Sequence, residues 1–219
     1  MKTVRVWFRK TGTARFISHL DLNRCMARAI HKAKIPLWYT EGFNPHAFLT
    51  FALPLSLGIS GERESMDMKL EDNALSDAEL MERMNAGLPP DIRVYAVTEP
   101  VMKPGQITAA SYRISLEVEN MDAEQAAGRI AELFRSETLV VSKHTKSGWS
   151  DFDLAPYLGN IEVSAAKTTV EISSVLPAGS SLNINPTLLT DAVGKYLHLE
   201  FYAKIRRTCL YGESQKIFE

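Results

Sequence analysis

The stretch that decides the fold is TVRVWFRKTGTARFISHLDLNRCMARAIHKAKIPLWYT, residues 3–40. Its start alternates Val4, Val6 and Phe8 against Arg5, Trp7 and Arg9, the period of a half-buried strand. Ser18 then opens Ser18-His19-Leu20-Asp21, a serine followed three residues later by an acid, which is a helix start of the capping-box kind. Beyond it Leu22, Met26, Ile30 and Ala33 recur at spacings near four and share one helical face. Arg24, Arg28, His31 and Lys32 fall on the opposite side as a basic stripe. Pro36 stops the helix, because its ring cannot continue the hydrogen-bond ladder, and residues 37–40 read as a short second strand.

Working outward, EGFNPH at residues 41–46 is a loop, and FLTFALPLSLGISG at residues 48–61 is apolar and extended, with Pro54 forbidding a long helix. Met66, Met68 and Leu70 alternate with Asp67, Lys69 and Glu71 as a third strand. A helix capped by Ser76 and closed by Gly87 follows, then a fourth strand over DIRVYAVTE, residues 91–99. The order β-α-β-β-α-β is the split βαβ, ferredoxin-like arrangement. PVMKPGQITAA then reads as a linker, and the pattern recurs: strands over SYRISLEVE, TLVVSK, TTVEISS and LEFYAKIRRTCLY, with helices over MDAEQAAGRIAELFRSE and NPTLLTDAVGKYL. The expected fold is α+β, two tandem ferredoxin-like units with antiparallel sheets. The boundaries are residues 1–100 for the first unit, 101–110 for the linker and 111–219 for the second.

The chain has 219 residues, 45% apolar and 23% charged, ordinary globular values. No apolar run reaches bilayer-spanning length, and the opening MKTVRVWFRK lacks the apolar centre of a signal peptide, so a soluble cytoplasmic protein is expected. Cys25 and Cys209 stand alone and far apart, so neither a disulfide framework nor a zinc knuckle is expected. The net charge of −1 predicts no polyanion by itself, yet its distribution is uneven. Nine cations from Lys2 to Lys34 share their stretch with one acid, Asp21, and an acidic run from Glu62 to Glu82 follows. Such asymmetry marks either a nucleic-acid face or two solvated faces that neutralise each other.

Turn chemistry accounts for Gly42, Asn44 and Pro45, but not for Phe43 or His46. A helix amino end favours anions, and Arg15, His19 and Arg24 stand around this one. Arg15, His19, Arg24, Arg28, Phe43, Asn44 and His46 are therefore the candidate residues for binding an anion or RNA, with Ser18 and Asp21 as structural caps. A metal site built from His19, Asp21 and His46 has poor spacing, because i and i+2 positions on a helix do not face each other. No metal and no cofactor are expected.

RFISHLDLNRCMARAIHKAKIPLWYTEGFNPHAFLTFALPLSLGI, residues 15–59, resembles the uncharacterised bacterial family of radical SAM-linked proteins. Members of that family carry a domain of unknown function, free-standing or fused behind a cobalamin-binding radical SAM module. The resemblance rests on Arg15-Phe16, Ser18-His19-Leu20-Asp21, Gly42-Phe43-Asn44-Pro45-His46, Pro54-Leu55 and Gly58, with Glu64 and Asp67 as a later acidic pair. Ala47 and Phe48 stand where the family has a proline and a basic residue, and Ser65 where it often has an aromatic. A radical SAM cluster needs three closely spaced cysteines, so the resemblance implies that a partner radical SAM protein performs any such chemistry. This chain would be its accessory or substrate-presenting subunit. Two functional readings stand: a non-catalytic accessory or RNA-associated module, with Arg5, Trp7 and Arg9 offering a strand face to RNA, or a metal-independent RNA endonuclease using His19 or His46.

Overall fold

A computed structural model describes residues 1–43, 45–71, 75–145 and 148–219. The chain is α+β, with four α-helices among the described residues and strands whose mapped pairings are antiparallel. It divides into two compact units, one of Met1–Ile107 with Cys209–Glu219, the other of Thr108–Thr208.

In the first unit β1 (Lys2–Lys10) leads through a 3-10 turn (Gly12–Phe16) to α1 (His19–Lys32). Ser18 is the N-cap and accepts the Asp21 N–H, and Leu22, Met26, Ala29 and Ile30 form the buried face. After β2 (Leu49–Phe51) come β3 (Ser60–Leu70), α2 (Asp77–Gly87), capped by Ser76, and β4 (Ile92–Thr98). The strands lie in the order β4-β1-β3, with β2 also on β3. The core joins Val4, Val6 and Phe8 of β1, Met66, Met68 and Leu70 of β3, and Ile92 and Val94 of β4 to the helices. At about 1.5–3 kcal/mol for each large side chain fully removed from water, this burial is the main force holding α1 and α2 on the sheet.

The second strand lies elsewhere than the sequence reading placed it. Residues 37–40 form only isolated bridges, Leu37 to Leu70 and Tyr39 to Ala47. The chain bridges β3 at Leu37, with Trp38 N–H on the Lys69 carbonyl, then closes a hairpin of its own, with Thr40 N–H donating to the His46 carbonyl. Leu49–Phe51 takes the vacated place, pairing Leu49 with Met68 and Phe51 with Met66.

The second unit holds β5 (Ala109–Val118), α3 (Ala123–Phe134), β6 (Val140–Thr145), β7 (Gly148–Asp153), β8 (Glu162–Ala166), β9 (Thr169–Pro177), α4 (Thr187–Leu197) and most of β10 (Phe201–Tyr211). Its strands run β10-β5-β9-β8, while β6 and β7 pair as a separate hairpin. TLVVSK, expected in the sheet, belongs to that hairpin, and Glu162–Ala166 takes the place beside β9 instead. An exposed β8, with only Val163 half-buried, has too little apolar alternation to announce itself.

The outer face of the first sheet overturns one reading. Arg5 and Trp7, on the side of β1 away from the helices, are 0% and 4% exposed and offer no open face to RNA. Arg5 Nε and Nη2 donate to the two carboxylate oxygens of Asp67 at 2.6 and 2.7 Å, and Nη2 also donates to the Met102 carbonyl at 2.7 Å. The Phe218 ring lies 4.3 Å from the guanidinium carbon and meets Trp7 edge-on at 6.3 Å. Residues around 102 and 218 cover this part of the sheet, and Met102 N–H donates to the Glu219 carbonyl. The acidic run thus folds back on the basic one: Asp67 neutralises Arg5, and Asp77 accepts from Lys2 at 3.3 Å.

Candidate functional site

Ser18 organises the amino end of α1. Its hydroxyl accepts the Asp21 N–H at 3.1 Å and donates to the Asp21 carboxylate at 2.7 Å. Arg24 donates to the other oxygen of that carboxylate at 3.2 Å. The Ser18 hydroxyl first, and Arg24 after it, hold the Asp21 carboxyl below the usual carboxylate range. Arg15, in the preceding turn, accepts the Gly58 N–H on its carbonyl and stacks its guanidinium over the Phe16 ring at 4.6 Å. His19 is half-buried with its imidazole edge-on to the Phe51 ring at 4.9 Å.

His46 belongs to a different place. Its N–H donates to the Thr40 hydroxyl at 3.1 Å, and its Nδ1 hydrogen-bonds the same hydroxyl at 3.0 Å. With the Thr40 N–H on the His46 carbonyl, these bonds pin both feet of the loop. Phe43 stands fully exposed near the tip between them. Asn44 lies outside the described residues. Residues 47–51 run extended from His46 to the Phe51 ring that His19 touches, a span of about 16 Å at 3.3 Å per residue. His19 and His46 thus sit at opposite ends of this extended stretch, His19 against Phe51 and His46 against Thr40. Among the described residues no group of three or more His, Cys, Asp or Glu side chains is placed to hold a metal ion.

The loop lies toward the end of the sheet where α1 finishes, since its approach crosses Leu70 and β1 begins opposite that residue. Arg24, Arg28, His31 and Lys32 are all exposed along α1. Around the loop Tyr39 and Phe48 are 44% and 39% exposed, and Trp38 meets Phe48 edge-on at 6.0 Å. Lys69 Nζ lies 4.3 Å from the Trp38 ring centroid, a cation–π contact. Among the described residues the carboxylates at this end include exposed Glu41 and Glu71, and Asp77, which pairs with Lys2. Two clusters thus replace the single expected pocket. One is Arg15, Ser18, His19 and Asp21 at the head of α1; the other is the aromatic loop with Phe43 and His46 at its foot. Tyr39, Trp38 and Phe48 were not among the expected site residues, although their density within ten positions of Phe43 is the signal that carries them.

These features define an α+β protein of two units whose first unit presents a basic helix and a pinned aromatic loop. The chain belongs to the family described as an uncharacterized protein conserved in bacteria (DUF2344), which matches residues 3–186. No curated protein matches it. No helix among the described residues is long and apolar enough to cross a membrane.

Proposed function

We propose that the chain is a non-catalytic, RNA-associated binding module that serves as an accessory to a radical SAM protein. The observation that carries the RNA reading is the exposed Phe43 ring, held out on a loop whose feet are tied by Thr40 and His46. A large ring in water is unfavourable for stability and useful for stacking, and a base stacked on an aromatic side chain is worth about 1–3 kcal/mol. Lys32 and Lys34 supply exposed cations toward the same end of the unit, with exposed His31 beside them. The accessory role rests on the motif resemblance of residues 15–59. The two units are read as tandem ferredoxin-like domains, supported by the strand orders β4-β1-β3-β2 and β10-β5-β9-β8, each with two helices.

Fluorescence anisotropy with a short single-stranded RNA tests this reading. Wild type binds, and Phe43→Ala weakens binding by roughly tenfold or more, as loss of one stacked base requires, with thermal stability unchanged. Equal affinities for wild type and Phe43→Ala overturn the loop's role. Failure of wild type to bind any RNA overturns the RNA reading, and co-purification tests the accessory one.

A further inference from the structure

The open half of the outer sheet face carries three arginines. Trp7 pairs with Ala96 and Phe8 with Val94, so β4 holds one extra residue, Tyr95, at a β-bulge. Bulges re-aim a side chain, and Tyr95 stands 40% exposed with the Arg9 guanidinium carbon 5.4 Å from its ring centroid. Immediately beyond the bulge Arg9 and Arg93 face each other in register. Both are exposed. Like charges directly opposite on paired strands are destabilising, so this arrangement is not explained by stability. Arg63 completes the group, with its guanidinium 4.8 Å over the Trp7 ring. Burial pushes the Tyr95 hydroxyl up, with Arg63 and Arg9 opposing it, so the hydroxyl stays a donor.

Among the described residues no carboxylate forms a mapped ion pair with these arginines. Asp91, two residues before Arg93, accepts from the Thr13 N–H at 2.7 Å and its hydroxyl at 2.6 Å. Glu64 is 4% exposed and lies close enough to Tyr95 to act on its hydroxyl, and Glu64 and Glu62 each have partners of their own. Besides stacking on Trp7, Arg63 makes a long 3.5 Å hydrogen bond to the Phe218 carbonyl. Phe218 therefore closes the Arg5 half of the face and leaves the Arg9 half open.

We infer that Arg9, Arg93 and Arg63, with the Tyr95 hydroxyl, form a second nucleic-acid contact surface that grips the phosphodiester backbone of single-stranded RNA. Guanidinium forks match phosphate oxygens bidentately, and an anion between Arg9 and Arg93 turns their repulsion into attraction. This inference rests on the RNA reading above, but it concerns other residues on the other side of the sheet from α1.

The experiment titrates a fluorescent oligouridine against wild type, the double variant Arg9→Gln/Arg93→Gln, and Phe43→Ala, at several salt concentrations. The double variant is expected to bind on the order of tenfold more weakly at low salt, with the slope of log affinity against log salt reduced by about 1.4, the value for two lost contacts to a single strand. Its melting temperature should equal or exceed that of wild type, because a like-charge pair is removed. Wild-type affinity and salt slope in the double variant, with Phe43→Ala impaired, refute this surface and leave the loop reading standing. The converse pattern supports the surface and refutes the loop. A fall in melting temperature with unchanged affinity assigns the arginines to structure, and a wild type that binds no RNA refutes both.

Discussion

Asp67→Ala is expected to be among the most damaging single changes in the first unit. The substitution removes both carboxylate oxygens from Arg5, whose side chain is fully buried. Among the described residues Nη1 of Arg5 has no hydrogen-bond partner, so the Nη2 bond to the Met102 carbonyl and the Phe218 and Trp7 rings would remain to hold the charge. A buried ion that loses its partner costs roughly 3–5 kcal/mol. Domains of this size are stable by only about 5–15 kcal/mol. Replacing both partners, in Arg5→Met/Asp67→Leu, removes the unpaired charge along with the pair and should recover most of that loss. Urea denaturation followed by Trp7 fluorescence, in a background carrying Trp38→Phe and Trp149→Phe, reports on this spot directly, because Trp7 touches Phe218. With m near 1–3 kcal/mol per molar, the midpoint for Asp67→Ala should fall by about 1 M or more. A shift below about 0.3 M, or a double variant no more stable than the single, would refute the reasoning that Arg5 is a buried charge dependent on Asp67.

Ser18→Ala should lower stability by about 1 kcal/mol, read as a melting-temperature shift, because the Asp21 N–H loses its cap acceptor. Asp21, whose carboxyl is held low first by the Ser18 hydroxyl, contributes stability that is present above the ordinary carboxylate range and lost as pH falls through its lowered value. Asp21→Asn should therefore flatten the acid limb of a melting temperature against pH curve, and an unchanged limb would count against the contact. Burial pushes the Cys25 thiol up, with Arg28 opposing it. Alkylation of Cys25 at pH 8 should accordingly lag behind a free thiol, and Arg28→Ala should slow it further; peptide mass mapping measures both.

The local elements were legible because their causes are local. The alternation of Val4, Val6 and Phe8 and the four-residue spacing of Leu22, Met26 and Ile30 required no knowledge of the partner surface, and all six are buried. The cap at Ser18 reads within three residues for the same reason. Edge strands escape such reading. A strand is chosen by the ladder it joins, and residues 37–40 lost that place to Leu49–Phe51 only because the loop between them closed through Thr40 and His46.

The sites divide in the same way. Composition alone marked Phe43 and His46 as more than turn residues, and the exposed stripe on α1 follows from helical periodicity. Whether His19 meets His46, and whether Arg5 and Trp7 face water, depended on contacts between residues far apart in the chain. Arg5 is covered by Met102 and Phe218, 97 and 213 positions away. The same long-range packing leaves Arg9 and Arg93 uncovered side by side. Periodicity assigns a side chain to one side of a strand, and only the tertiary structure decides what, if anything, lies against that side.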